Sequence, residues 1–297
     1  MSARRLDREL VRRVRRIEIV TRKAVSDALA GQYHSVFKGR GISFSEVRPY
    51  QPGDEVRTID WNVTARTGEP FVKVFHEERE LTVMLVVDIS ASTAYGSRGP
   101  SKAEAAAELC AQIAFSAIDN GDRVGLVLFS DRVEKIVPPK KGRRHALRVV
   151  AEVLAHEPEG RGTDIAAGLS ALFHAQRRSA VVFLLSDFLD TGYEPDLRVA
   201  AMRHDLVPVV VRDPLESAVP RSGMFVLQDP ETGARFLVDT SDARVQRNYK
   251  RWAESARNER QRLFRKLRLD SVELRPGEDN REALGRFFAA RARRSRS

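Results

Sequence analysis

The chain has 297 residues, 42% hydrophobic and 31% charged, with a formal net charge of +10. That size suits one sizeable domain plus additions. No apolar run approaches membrane-spanning length and no signal peptide is visible. The single cysteine, Cys110, excludes an internal disulfide and reads as a buried small residue, so the expected compartment is the cytoplasm.

The positive charge is unevenly distributed. Residues 1–30 carry 9 Lys+Arg against 4 Asp+Glu and residues 241–297 carry 17 against 8, so the flanks hold +5 and +9 while the middle holds −4. In the first flank Leu6, Leu10, Val14, Ile17, Val20 and Ala24 recur at helical spacing, crowded by Arg4, Arg5, Arg8, Arg12, Arg13, Arg15 and Arg16. This predicts a basic amphipathic helix over 1–30. Residues 31–80 form a small β-rich segment: Pro49, Pro52 and Gly53 break helix, and alternating Phe71, Lys73 and Phe75 predict a short strand pair. Tyr50, Trp61, Phe71 and Phe75 read as a satellite core. Arg48, Asp54, Arg57, Asp60 and Arg66 read as loop charges that solvate or pair locally, with a role in binding unassigned.

Residues 81–240 alternate strand and helix as a doubly wound α/β domain does. Leu81 to Asp88 is apolar on both faces, the pattern of a central parallel strand. A helix follows from about Lys102 to Ile118, ended by Asp119-Asn-Gly-Asp122. Val124 to Ser130 then turns through Asp131 into Val133 to Val137. Helices over Arg144–Leu154, Ile165–Gln176 and Asp196–His204 and strands over Ala180–Ser186 and Leu206–Val211 complete the pattern. A late hairpin, Met224–Leu227 with Phe236–Val238, is expected to extend one sheet edge. Residues 241–297 are expected as a basic C-terminal helix and tail, the helix with an apolar stripe of Val245, Tyr249, Trp252, Ala256, Leu263 and Leu267. Arg291 to Ser297 is expected as a disordered tail. The basic faces read first as solvated helix surfaces, with an acidic partner, nucleic acid or an anionic membrane as alternatives.

Chemistry concentrates in three places. Asp88, Ser90 and Ser92 leave the carboxyl end of the first buried strand together, where ligands of parallel sheets collect. Gly162-Thr163-Asp164 opens a helix after the loop His156 to Arg161, and Val181 to Asp187 is a second buried strand ending in a carboxylate. Asp88, Ser90, Ser92, Thr163 and Asp187 are all hard oxygen donors, a set that suits Mg²⁺ or Mn²⁺ far better than zinc. The competing explanation makes Ser90, Ser92 and Thr163 helix caps and Asp187 the start of a turn. It must account for three separate places at once.

On these residues the chain resembles the von Willebrand factor A fold, whose metal-ion-dependent adhesion site pairs Asp-X-Ser-X-Ser with a distant Thr and a distant Asp. The resemblance implies a doubly wound, mostly parallel sheet with helices on both faces, and the hairpin ending at Val137 would carry its antiparallel edge strand. An N-terminal helix, a small β segment and a C-terminal basic helix would be the additions. It implies too that Ser90, Ser92 and Thr163 hold an ion directly or nearly so, while Asp88 and Asp187 act largely through water. One ion position would stay open for a partner's carboxylate. A small hard dication accepts such a set, because it takes six oxygens and retains water readily.

The stretch Phe44 to Trp61, with Tyr33 to Gly41, Ala65-Arg-Thr-Gly68 and Phe71 to Glu80, is joined directly to the Asp88 strand. It resembles the bacterial family called domain of unknown function 58, over nearly the whole chain. Members look like von Willebrand A proteins and commonly accompany MoxR-type AAA+ ATPases. The resemblance implies a non-enzymatic adaptor or co-chaperone that docks onto such an ATPase or presents clients to it. Many members are thought to carry transmembrane segments ahead of the domain, which this sequence does not show.

Two other classes compete. Asp88-Ile-Ser90 is similar to the Asp-X-Asp of phosphatases, but Ser90 cannot serve as the second, general-acid carboxylate. No Gly-X-Ser-X-Gly elbow, His-Glu-X-X-His pair or phosphate-binding Gly-X-X-X-X-Gly-Lys-Ser/Thr loop is present, and His34, His76, His145, His156, His174 and His204 are scattered. Nucleic-acid binding through the flanks would show a steep loss of affinity with salt, yet no aromatic-interleaved basic sheet supports it.

Overall fold

A computed structural model of the chain describes Arg12, Val14, Arg15, Tyr33, Val36, Phe37 and residues 43–76, 80–97 and 99–294. Most of the helix expected over 1–30 therefore lies outside the described residues, as do 295–297; Arg12, Val14 and Arg15 are helical. The chain divides into two compact units, residues 37–81 and residues 1–36 with 82–297. Among the described residues no helix is long and apolar enough to cross a membrane.

In the smaller unit β1 (Ser43–Pro49) pairs antiparallel with β2 (Phe71–His76), with a bulge between Phe44 and Glu46. Between them α1 (Trp61–Thr67) begins at Asp60, whose carboxylate accepts from the amides of Asn62 and Val63, and ends at Gly68 in the left-handed region, φ 78°. Trp61 does not join a satellite core: it is 67% exposed. The half-buried side of this two-turn helix is Val63 and Thr64, and the Thr64 hydroxyl accepts from the Phe71 amide at 3.1 Å. Tyr50 and Phe71 are half-buried. The loop charges do pair locally: Arg48 grips Asp54 through two contacts of 2.7 and 2.8 Å, and Lys73 stands 3.4 Å from Asp60.

The larger unit runs β3 (Thr82–Asp88), α2 (Lys102–Asp119), β4 (Arg123–Phe129), β5 (Val133–Lys140), α3 (Arg143–Ala155), α4 (Ile165–Ala175), β6 (Val181–Ser186), α5 (Glu194–Arg203), β7 (Asp205–Val211), β8 (Met224–Gln228), β9 (Arg235–Asp239), α6 (Ala243–Lys266), β10 (Val272–Leu274) and α7 (Asn280–Arg294). Six strands form one sheet in the order β10-β7-β6-β3-β4-β5. Every pairing is parallel except β4 with β5. This is a mixed α/β fold with a mostly parallel central sheet. Val83 to Val87 are at most 1% exposed, as a strand covered on both faces requires. On one face Met84, Val86, Val127, Phe129, Val182 and Leu184 pack against Ile165, Leu169 and Leu172 of α4, Leu197 and Ala200 of α5 and Phe264 of α6. α2 lies on the other side with α3 and α7. Its start is a reciprocal capping box, in which the Ser101 hydroxyl accepts from the Glu104 amide and the Glu104 carboxylate from the Ser101 amide.

Three expectations need correction. The β8–β9 hairpin is a separate two-stranded sheet rather than an edge extension, and the edge beside β7 is taken by β10 instead. Both hairpin strands are exposed along most of their length, so nothing drives them to bury against the main sheet. Residues 241–297 hold more than a helix and tail: a break over 267–271 admits β10, and α7 follows. The region read as a disordered tail from Arg291 is helical to Arg294, because Leu284, Phe287 and Phe288 are buried and Arg291 pairs with Asp205. Trp252 lies 52% exposed on α6, whose buried positions are Ala253, Arg260 and Phe264.

Candidate metal centre

The chain leaves β3 toward β4 on one side of the sheet and leaves β6 toward β7 on the other. The carboxyl ends of neighbouring strands whose connections diverge in this way open a crevice in the sheet. Asp88 ends β3, and Asp187 follows β6 directly, so both carboxylates reach that crevice. Both are buried, at 3% and 4% exposure.

A continuous chain of short contacts joins them. Ser186 Oγ donates to Asp88 Oδ2 at 2.8 Å, and Asp88 Oδ1 accepts from the Ser90 amide at 2.9 Å. Ser90 Oγ stands 3.1 Å from Ser92 Oγ, which donates to Asp187 Oδ2 at 3.1 Å. Four of the five residues read from the sequence thus meet. Burial, and then the neighbouring charge of Asp187, lifts Asp88 above the ordinary carboxylate range against the hydrogen bonds from Ser90 and Ser186.

Thr163 is brought to the rim of this group by the loop before α4, whose Arg161 carbonyl accepts from the Ala91 amide at 3.0 Å. Its hydroxyl contacts none of the other four residues; it donates to Glu231 Oε1 at 2.8 Å. The alternative reading holds at Asp187, which begins a turn by accepting from the Leu189 amide at 3.2 Å, but fails at two of the three hydroxyls. Asp164, not Thr163, caps α4, and Ser90 precedes the turn Ala91–Ala94 without a side-chain cap.

Several groups that sequence reasoning passed over complete the site. Lys102, 2% exposed at the start of α2, places its ammonium 2.8 Å from Asp187 Oδ2 and 2.7 Å from Glu216 Oε1. Burial alone would lower its pKa, but the two carboxylates outweigh burial and hold it at about 12. Nothing in the sequence marks this lysine, which simply precedes the run Ala103-Glu-Ala-Ala-Ala. Arg260 of α6 reaches back to donate to the Asp187 carbonyl at 3.1 Å. Phe188 has φ 57°, a left-handed conformation costly for a bulky residue, and is fixed there by Phe264 and Tyr193 with ring centroids 5.2 and 5.9 Å away. The Thr163 loop is tied down by Glu134, which accepts from Ser130 Oγ at 2.6 Å and from the amides of Gly160 and Glu159 at 2.9 and 3.1 Å. The loop passes so close that a Cβ on Gly160 would fall 2.3 Å from Ser130 Oγ.

The donor set fits a small hard dication. At the crevice Asp88 and Asp187 bring carboxylates and Ser90 and Ser92 hydroxyls, all hard oxygen donors, while the Lys102 ammonium and the Arg260 guanidinium also stand against Asp187. Among the described residues no three His, Cys, Asp or Glu side chains converge as a metal set, so any ion here depends on the serine and threonine oxygens.

The chain belongs to a family described as "Protein of unknown function DUF58", whose model matches residues 46–260. Uncharacterized proteins of Mycobacterium tuberculosis (strain ATCC 25618 / H37Rv) and Mycobacterium bovis are each 33% identical over 293 residues, covering 97% of this chain and 91% of theirs. Among solved structures the conserved hypothetical protein BatB from Bacteroides thetaiotaomicron is similar at 15% identity and a TM-score of 0.45, over 72% of this chain and 99% of its own.

Proposed function

We propose that this chain is a von Willebrand factor A-like interaction module without catalytic activity of its own. Asp88, Ser90, Ser92, Thr163 and Asp187 would hold a divalent ion, Mg²⁺ or Mn²⁺, with a position left for a carboxylate of a protein partner. A MoxR-type AAA+ ATPase or its client is the partner class, which makes the protein an adaptor or co-chaperone. The observation that carries the reading is the Ser186–Asp88–Ser90–Ser92–Asp187 chain of contacts at the crevice of the sheet. The ion would supply a positive centre; the residues of the chain orient the hydroxyls, keep Asp88 from solvent and fix the Asp187 carboxylate.

The test uses the full chain. Manganese titration should show one saturable site in the wild type, and Asp88→Asn should weaken it at least ~10-fold while thermal unfolding stays cooperative. Capture of a MoxR-type ATPase from the same genome should occur with Mg²⁺ and fail with EDTA or Asp88→Asn. Capture indifferent to both would defeat the reading.

A further inference from the structure

A further carboxylate is delivered to Thr163 from far along the chain. Glu231 sits in the turn of the β8–β9 hairpin and accepts from Thr163 Oγ1 at 2.8 Å. Its second oxygen lies 4.0 Å from where a Cβ would stand on Gly162, so the carboxylate is laid over the Gly162–Thr163 backbone. The turn is built to aim it. Asp229 accepts from the amides of Glu231 and Thr232 at 2.9 and 3.3 Å, and Gly233, at φ 73°, donates its amide to the Asp229 carbonyl at 2.8 Å.

The strands behind this tip are weakly held. Met224, Phe225, Val226, Leu227, Phe236 and Leu237 are all exposed, and at the base Thr240 bonds the Gly223 carbonyl through both its amide and its hydroxyl. A two-stranded ribbon is marginal by itself. Such an arm can lift its tip without disturbing the main sheet. A half-buried carboxylate whose one named partner is a neutral hydroxyl carries a desolvation cost that a cation would offset.

We propose that Glu231 is the chain's own carboxylate for the divalent ion, occupying in cis the position that a partner's Asp or Glu must take. This rests on the metal-centre reading above and deepens it. The protein then holds its ion more tightly when alone, and a partner engages only by displacing the hairpin tip.

The experiment follows Mn²⁺ binding to the full chain by titration and by water-proton relaxation, which reads how many waters stay on the bound ion. Glu231→Ala should weaken Mn²⁺ on the order of 10-fold and raise the relaxation per bound ion by the equivalent of one water. Acetate should then suppress that excess at lower concentration than it affects the wild type. Glu231→Gln still accepts from Thr163 but lacks the charge, and should resemble Glu231→Ala; wild-type behaviour of this variant would overturn the proposal. Equal affinity and relaxation in wild type and Glu231→Ala, with binding lost in Asp88→Asn, would overturn the Glu231 assignment alone. Absence of saturable binding in the wild type would overturn it together with the metal centre.

Discussion

Lys102 is held at the crevice by two carboxylates, Asp187 at 2.8 Å and Glu216 at 2.7 Å. A lysine this deeply buried is tolerated only when paired, and removing one partner of a buried pair costs about 3–5 kcal/mol. Lys102→Met should therefore lower the stability of the metal-free protein by about that amount, since Asp187 and Glu216 lose their shared ammonium. Added Mg²⁺ should return part of the loss, because the ion supplies positive charge beside Asp187. Thermal unfolding with and without Mg²⁺ checks this, and an equal Mg²⁺ shift in variant and wild type would contradict it. Asp88, Ser90, Ser92 and Asp187 could be found in the sequence because each sits within five residues of the end of an apolar run. Lys102, Glu216 and Glu231 could not, because what places them is the packing of elements far apart in the chain.

Among the elements, the loop carrying Thr163 depends on β5 through Glu134. Burial works against the ionised carboxylate, but the hydrogen bonds from Ser130, Gly160 and Glu159 outweigh burial and lower it from 4.5 to about 2. A carboxylate lowered in the folded state stabilises the protein above its unfolded value, and that contribution drains away as pH falls from about 4.5 toward 2. Glu134→Gln should cost about 1–3 kcal/mol at neutral pH and flatten the acid limb of the stability profile in that window. Urea unfolding at pH 7 and pH 3 provides the measurement; identical curves at both would refute the role. Strand and helix positions of the central sheet were legible because period and apolar runs report burial directly. The hairpin departs from the expected edge position for the opposite reason: the consecutive apolar residues Met224–Leu227 and Phe236–Val238 look like strands seeking a sheet, yet they stay mostly exposed. The expected stripe of α6 lies nearly in place, but Trp252 within it is exposed and the next residue, Ala253, faces the core.

For the molecule as a whole, the charge map changes meaning once the arginines are located. Arg260 is buried, and Arg257, Arg275, Arg281, Arg286, Arg291 and Arg294 stand against carboxylates of Glu273, Asp279, Glu282, Asp205 and Asp270. Of these carboxylates only Asp205 lies outside residues 241–297, so the pairs fix several arginines in place but leave the net positive charge of that flank standing. Duplex DNA should bind no more tightly than the non-specific range, about 10⁻⁴–10⁻⁶ M at physiological salt. A nanomolar affinity that falls steeply with salt would move the function to nucleic acid. The order of strands explains why the site lies where it does, since only at the β3–β6 boundary do two connections part.

One feature at that boundary bears on synthesis. Asp187 receives Arg260 at its carbonyl, while Phe188 is wedged by Phe264. A nascent polypeptide that has emerged as far as β7 carries Asp88, Ser90, Ser92, Thr163 and Asp187 but lacks Glu216, Glu231 and the helix that sets the Asp187–Phe188 bend. The bend that holds Asp187 and Phe188 is therefore set only once α6 has been made and has packed against them.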